Sequence, residues 1–148
     1  LDVSFRLGAG ASHTVTIPEP WRGRVGRIGV ISAFSFGPIA QDKPVCDVAA
    51  KRGGDPVDQW IMRSGVTTAR TDIDYYPPAQ QDHKKVEIVE SIEADYSDKA
   101  GSPFKRHTYL GWLDVDPGAT PIDAIAFVSA NGYFFDVFDV VLVPRREP

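Results

Sequence analysis

The sequence predicts an all-β domain of antiparallel strands, arranged as a sandwich or a barrel. Three observations carry this. Short segments of alternating apolar and polar residues recur along the chain, each bounded by turn residues. Twelve prolines and thirteen glycines in 148 residues punctuate the chain too often for long helices. The closing run, Phe134 to Val143, is dense in β-branched and aromatic residues, follows the turn pair Asn131-Gly132 and stops at Pro144.

The elements follow in order. Leu1 to Leu7 alternates through Val3, Phe5 and Leu7, and Gly8 to Gly10 breaks it. Ser12 to Ile17 alternates again, and Pro18-Glu19-Pro20 ends it because proline removes ladder donors. Val25 to Phe36 is a long β-prone run, and Val45 to Lys51 a short one. Gly53-Gly54-Asp55-Pro56 is a turn, after which Val57 to Met62 and Val66 to Thr71 read as two strands. Residues 72–85 are polar, contain Pro77-Pro78 and read as a loop. Val86 to Ala94 fits period two better than period 3.6, so a strand is expected there. Asp95 to Arg106 reads as a loop. His107 to Val115, Ile122 to Ala130 and Phe134 to Val143 are the last strands, joined by Asp116-Pro117-Gly118 and Asn131-Gly132. The last strand is apolar on both parities, which predicts a place inside a sheet with neighbours on both sides. Asp136 and Asp139 interrupt it and need partners or a cation.

At 148 residues the chain predicts a single domain, residues 1–148, with a sizeable core. A net charge of −4 argues against nucleic-acid binding. No stretch of eighteen apolar residues predicts membrane insertion. Residues 1–70 carry nine Lys/Arg and six Asp/Glu, whereas residues 71–148 carry seven and fourteen. That imbalance reads as two differently charged sides of one domain. Cys46 is the only cysteine and sits among Val45, Val48 and Ala49, so it reads as an inert small hydrophobe. The chain starts at Leu1 rather than a methionine, which suggests a processed product or an excised domain.

The last third resembles the end of a galactose-binding-domain-like jelly roll, the fold of many carbohydrate-binding modules. The residues that carry it are Gly132-Tyr133-Phe134-Phe135, Asp139-Val140-Val141-Leu142 and the preceding Ile122 to Phe127. The resemblance spans about residues 107–144. The opening part of the chain lacks the family's Asn and Gly-Phe-Glu pattern. The resemblance implies an antiparallel β-sandwich of jelly-roll type. It also implies a non-catalytic carbohydrate-binding module of a larger extracellular or cell-surface protein, in contact with that protein's other domains. It further implies a structural calcium ion against the last strand, with Asp139 as its candidate ligand.

Sugar sites use aromatic faces for C–H-rich surfaces and nearby polar groups for hydroxyls. Tyr75 and Tyr76 lie in a polar loop beside Arg70, Asp72 and Asp74, and loops often carry function. Trp60 and Trp112 sit in strands, where core packing is the simpler reading, with Trp60 a possible contributor to a groove. The expected carbohydrate site is therefore Trp60, Arg70, Asp72, Tyr75 and Tyr76. The acidic pairs Asp72-x-Asp74 and Asp114-x-Asp116 do not extend into a calcium-loop pattern. His13, His83 and His107 lack metal-ligand spacing and read as surface or rim residues. Ser64, His107 and an aspartate could be assembled into a triad on paper, but there is no nucleophile elbow. Arg22, Arg24 and Arg27 form a basic patch that reads as a solvated turn. The alternative function is a protein-interaction or structural sandwich whose edges dock another chain.

Overall fold

A computed structural model describes residues 1–35, 40–76, 83–94, 104–130 and 132–146. Phe36, the Pro77-Pro78 pair, residues 95–103 of the expected loop and Asn131 lie outside these residues. Among the described residues nine strands form: β1 (Phe5–Leu7), β2 (Ser12–Thr16), β3 (Val25–Ser35), β4 (Pro44–Arg52), β5 (Asp55–Arg63), β6 (Glu87–Ala94), β7 (Phe104–Asp114), β8 (Ala124–Ser129) and β9 (Phe134–Pro144). Among the described residues there is no α-helix, only single 3₁₀ turns at Glu19–Trp21, Ile73–Tyr75 and Pro117–Ala119.

The strands make two sheets, one ordered β1-β9-β3-β7-β6 and the other β2-β8-β4-β5, with every strand pairing antiparallel. The pairing is nested: β1 lies on β9, β2 on β8 and β3 on β7. The two sheets face each other across one main core. Ile17, Ile28, Val30, Phe34, Val48, Met62, Ile125, Phe127, Phe135 and Val140 are fully buried there. Each large apolar side chain of this kind contributes about 2–3 kcal/mol relative to exposure. Phe5 rests its edge on Phe127, and Phe34 meets Tyr133 at right angles, with ring centroids 5.3 and 5.1 Å apart.

β9 lies inside its sheet, paired with β1 on one side and β3 on the other, as its composition predicts. Its two faces are not equally buried, however. The β3–β9 register slips between Val137 and Asp139, so Phe138 is the extra residue of a β-bulge. The bulge switches parity. Phe135 and Val137 face the core before it, and Val140 and Leu142 after it. Phe134 and Phe138 are left 39% and 42% exposed on the outer face. Gly132, at φ +90°, makes the turn that leads into this strand.

Val66 to Thr71 is not a regular strand. It forms isolated bridges, Ser64 with Thr68 and Arg70 with Phe34. The Phe34 N–H donates to Ala69 O, and the Thr71 N–H to Phe34 O. The Thr71 carbonyl accepts from His107 N–H. The segment therefore wedges between the diverging ends of β3 and β7. Val86–Ala94 is a strand as expected, beginning at Glu87 and closing the five-stranded sheet at its edge. β7 starts at Phe104, earlier than the sequence suggests.

Candidate functional site

The structure brings together four of the five expected sugar-site residues and removes the fifth. Arg70, Asp72, Tyr75 and Tyr76 share the segment that caps the Phe104–His107 end of β7. Arg70 Nε donates to Asp72 Oδ1 at 2.6 Å, with the side chains only 12% and 7% exposed. The Arg70 guanidinium also lies over the Tyr76 ring, 5.3 Å from its centroid. Tyr75 stacks edge-on against Tyr76 and Phe104 at 5.3 and 5.4 Å. The Arg70 N–H donates to His83 Nε2, and the Tyr109 hydroxyl to Arg70 O. These groups are spent on one another, so the segment acts as an internal brace.

Trp60 lies at the other end of β7. Its indole Nε1 donates to Asp114 O at 3.1 Å. His107 and Asp114 are seven residues apart on one strand, a span of roughly 23 Å. Trp60 therefore joins no groove with Tyr75 and Tyr76.

Trp60 instead borders an open groove of about 780 Å³ on the outer face of the four-stranded sheet. The registers explain its shape. Thr14 pairs with Ala126, Ala126 with Ala49, and Ala49 with Gln59. One cross-strand row thus carries two adjacent methyl side chains at its centre. The neighbouring row, Ser12–Val128–Asp47–Ile61, stands taller on one side. Lys51, level with Ala124, rises on the other. The result is a trough perpendicular to the strands, with an alanine floor. Its lining crosses three strands, β8, β4 and β5, a span of about 10 Å between the outer two. Its walls offer an acceptor in Asp47, donors in Lys51 and Arg63, and both in Gln59. Arg63 is steadied where its Nη1 donates to Asp42 O at 3.3 Å.

Asp139 is not the buried carboxylate that its strand suggests. Its side chain is 40% exposed, and Oδ1 accepts the Val140 N–H at 2.8 Å. It falls on the outer face because of the bulge at Phe138. Asp136 is satisfied by a two-pronged pair with Arg6, at 2.7 and 3.0 Å. Among the described residues, no group of three or more His, Cys, Asp or Glu converges as metal ligands would. Asp114 pairs with Arg27, and Asp116 accepts from Gly118 N–H within its turn.

Several residues take roles that differ from the sequence reading. His83 and His107 are buried rather than on a rim, and only His13 is exposed. Ser64 does not approach His107; its hydroxyl donates to Ala40 O and accepts from Lys43 N–H. The basic patch is engaged: Arg22 Nε donates to Ile17 O, Arg24 covers Trp21, and Arg27 covers Trp112 at 4.2 Å. Cys46 is buried as expected, and burial pushes its thiol pKa up to about 12.

No protein-family model and no curated protein sequence matches this chain.

Proposed function

We propose that this is a carbohydrate-binding domain that holds a polysaccharide or glycan chain in the trough of the four-stranded sheet. The observation that carries the reading is the adjacent pair Ala126–Ala49, a recessed methyl floor flanked by the taller Val128, Asp47 and Ile61 on one side and Lys51 on the other. A sugar chain needs that combination. Its C–H faces lie on methyl groups, and its hydroxyls reach Asp47, Lys51, Gln59 and Arg63. An open trough that crosses the strands suits the interior of a chain rather than a single enclosed sugar. The fold supports the same reading. Nested pairing of β1 with β9, β2 with β8 and β3 with β7 across two sheets is what a jelly roll requires. In this reading the domain belongs to an extracellular or cell-surface protein, where such polymers occur.

The test is a glycan array probed with the wild type and with Ala49→Leu, which fills the trough from its floor. Binding by the wild type and at least a tenfold loss in Ala49→Leu are expected. Tyr75→Phe and Tyr76→Phe, which alter the brace without emptying it, should bind normally. Equal binding by Ala49→Leu, or no glycan bound by the wild type, overturns the reading.

A second reading rests on the outer face of the five-stranded sheet and its edge. Phe134, Phe138, Ile88, Val89 and Ile92 are exposed there, and a protein partner could cover them. In that case Phe138→Ser would abolish partner binding while Ala49→Leu would not.

A further inference from the structure

Away from the trough, three side chains from separate segments form a hydrogen-bonded line. Ser91 of β6 faces His107 of β7 as its cross-strand partner, with Ser91 Oγ 2.7 Å from His107 Nδ1. His107 Nε2 is 2.5 Å from Asp74 Oδ2, in the 3₁₀ turn of the brace. Lys85 Nζ donates to the other oxygen of Asp74 at 3.1 Å. His107 is buried to 5% exposure, whereas Ser91 is exposed on the edge strand.

The proton positions follow from this geometry. Burial alone would raise the Asp74 pKa, but the hydrogen bonds of His107 and Lys85 and the nearby Lys85 charge outweigh it and hold the carboxyl below its usual range. An ionised carboxylate only accepts, so the shared proton sits on His107 Nε2. In the neutral ring, Nδ1 then keeps a lone pair that accepts the Ser91 hydroxyl proton. A hydroxyl, a base holding its proton and a carboxylate fixing the base's tautomer are the parts of an activated nucleophile. The two ring nitrogens are used in the reverse of the more familiar assignment, which does not alter the proton balance.

We propose that Ser91, His107 and Asp74 form a nucleophilic centre for acyl transfer from small carboxylic esters. Ser91 Oγ attacks the ester carbonyl carbon and forms the new C–O bond. Its proton passes to His107 Nδ1, and Asp74 holds the resulting imidazolium through Nε2. When the tetrahedral adduct collapses, the bond to the alcohol oxygen breaks. The departing alkoxide takes the proton from Nδ1 and leaves as the alcohol. Water then attacks the acyl-Ser91 carbonyl and gives its proton to Nδ1. The carboxylic acid departs, and Ser91 regains its proton. Among the described residues nothing pairs with the outer edge of β6. Alternate main-chain N–H groups of that strand therefore face solvent as donors for the oxyanion. Ser91 and His107 touch the reacting atoms, and Asp74 is a positioning residue.

The experiment is covalent labelling of the whole chain with a fluorophosphonate, with the modified peptide located by mass spectrometry. A single adduct on Ser91 is expected. Ser91→Ala, a change at an exposed side chain, should remove it while leaving the circular dichroism spectrum unchanged. Asp74→Asn should slow labelling at least tenfold and abolish the far-downfield proton resonance of the His107 Nε2–H. No adduct on Ser91, or an undiminished rate in Asp74→Asn, overturns the proposal.

Discussion

Gly111 of β7 lies directly against the Thr67 carbonyl, so closely that a Cβ at position 111 would overlap the oxygen. The brace formed by residues 63–76 is seated on β7 at this point. The same segment holds Ser32 Oγ to Thr68 Oγ1 at 2.9 Å and places Arg70 O on the Tyr109 hydroxyl. Gly111→Ala should destabilise the domain by about 2–3 kcal/mol, because main chain on both sides resists displacement. Chemical denaturation measures this, and an unchanged midpoint would show that the brace is not seated there.

The Arg70–Asp72 pair should be structural. Removing Asp72 takes a short charge-assisted hydrogen bond from a largely buried guanidinium, so Asp72→Ala should cost on the order of 3 kcal/mol. Replacing both partners with apolar residues of similar volume should cost less, since neither charge then has to be desolvated. A double-mutant cycle would reveal the difference.

Acid sensitivity should trace in part to Asp74. Its folded pKa is below the ordinary value of 3.8. The folded state therefore gains stability above about pH 3.8, and that gain is lost as the pH falls through the lower folded value. Asp74→Asn should flatten the acid limb of the stability curve in that interval. Melting temperatures of both proteins between pH 5 and about 2.5 would test the sign, since the unfolded carboxyl titrates within this range.

Cys46 should be silent. Buried and with a thiol pKa near 12, it presents no thiolate to a reagent at neutral pH. Reaction with a disulfide reagent should wait for unfolding and speed up with denaturant. Rapid stoichiometric reaction in the native protein would contradict its position between the sheets.

Strand positions were largely legible because alternation and turn residues are local signals. Gly132, Asp116-Pro117-Gly118 and Gly53-Gly54 mark boundaries that the structure keeps or shifts only slightly. The face that β9 buries was not legible. The bulge at Phe138 depends on register against β3, which no local pattern encodes. The same holds for Val66–Thr71, whose β-prone composition is overridden by its place between β3 and β7. Tyr75 and Tyr76 stand out in sequence as aromatics in a polar loop, but their packing on Phe104 and Arg70 is set by tertiary contacts. Ala49 and Ala126 carry no signal in sequence, and become a floor only when two registers set them side by side. Ser91, His107 and Asp74 were equally hidden, since β6 pairing and the 3₁₀ turn at Ile73–Tyr75 bring them together.

In the proposed function, ligand lies in the trough of the four-stranded sheet. Titration of isotope-labelled protein with a bound oligosaccharide, followed by amide chemical shifts, tests it most directly. The account predicts shifts at Asp47, Ala49, Gln59, Ile61 and Ala126, with Arg70 to Tyr76 unmoved. Shifts confined to Arg70–Tyr76, or to Phe134 and Phe138 on the opposite sheet, would contradict it.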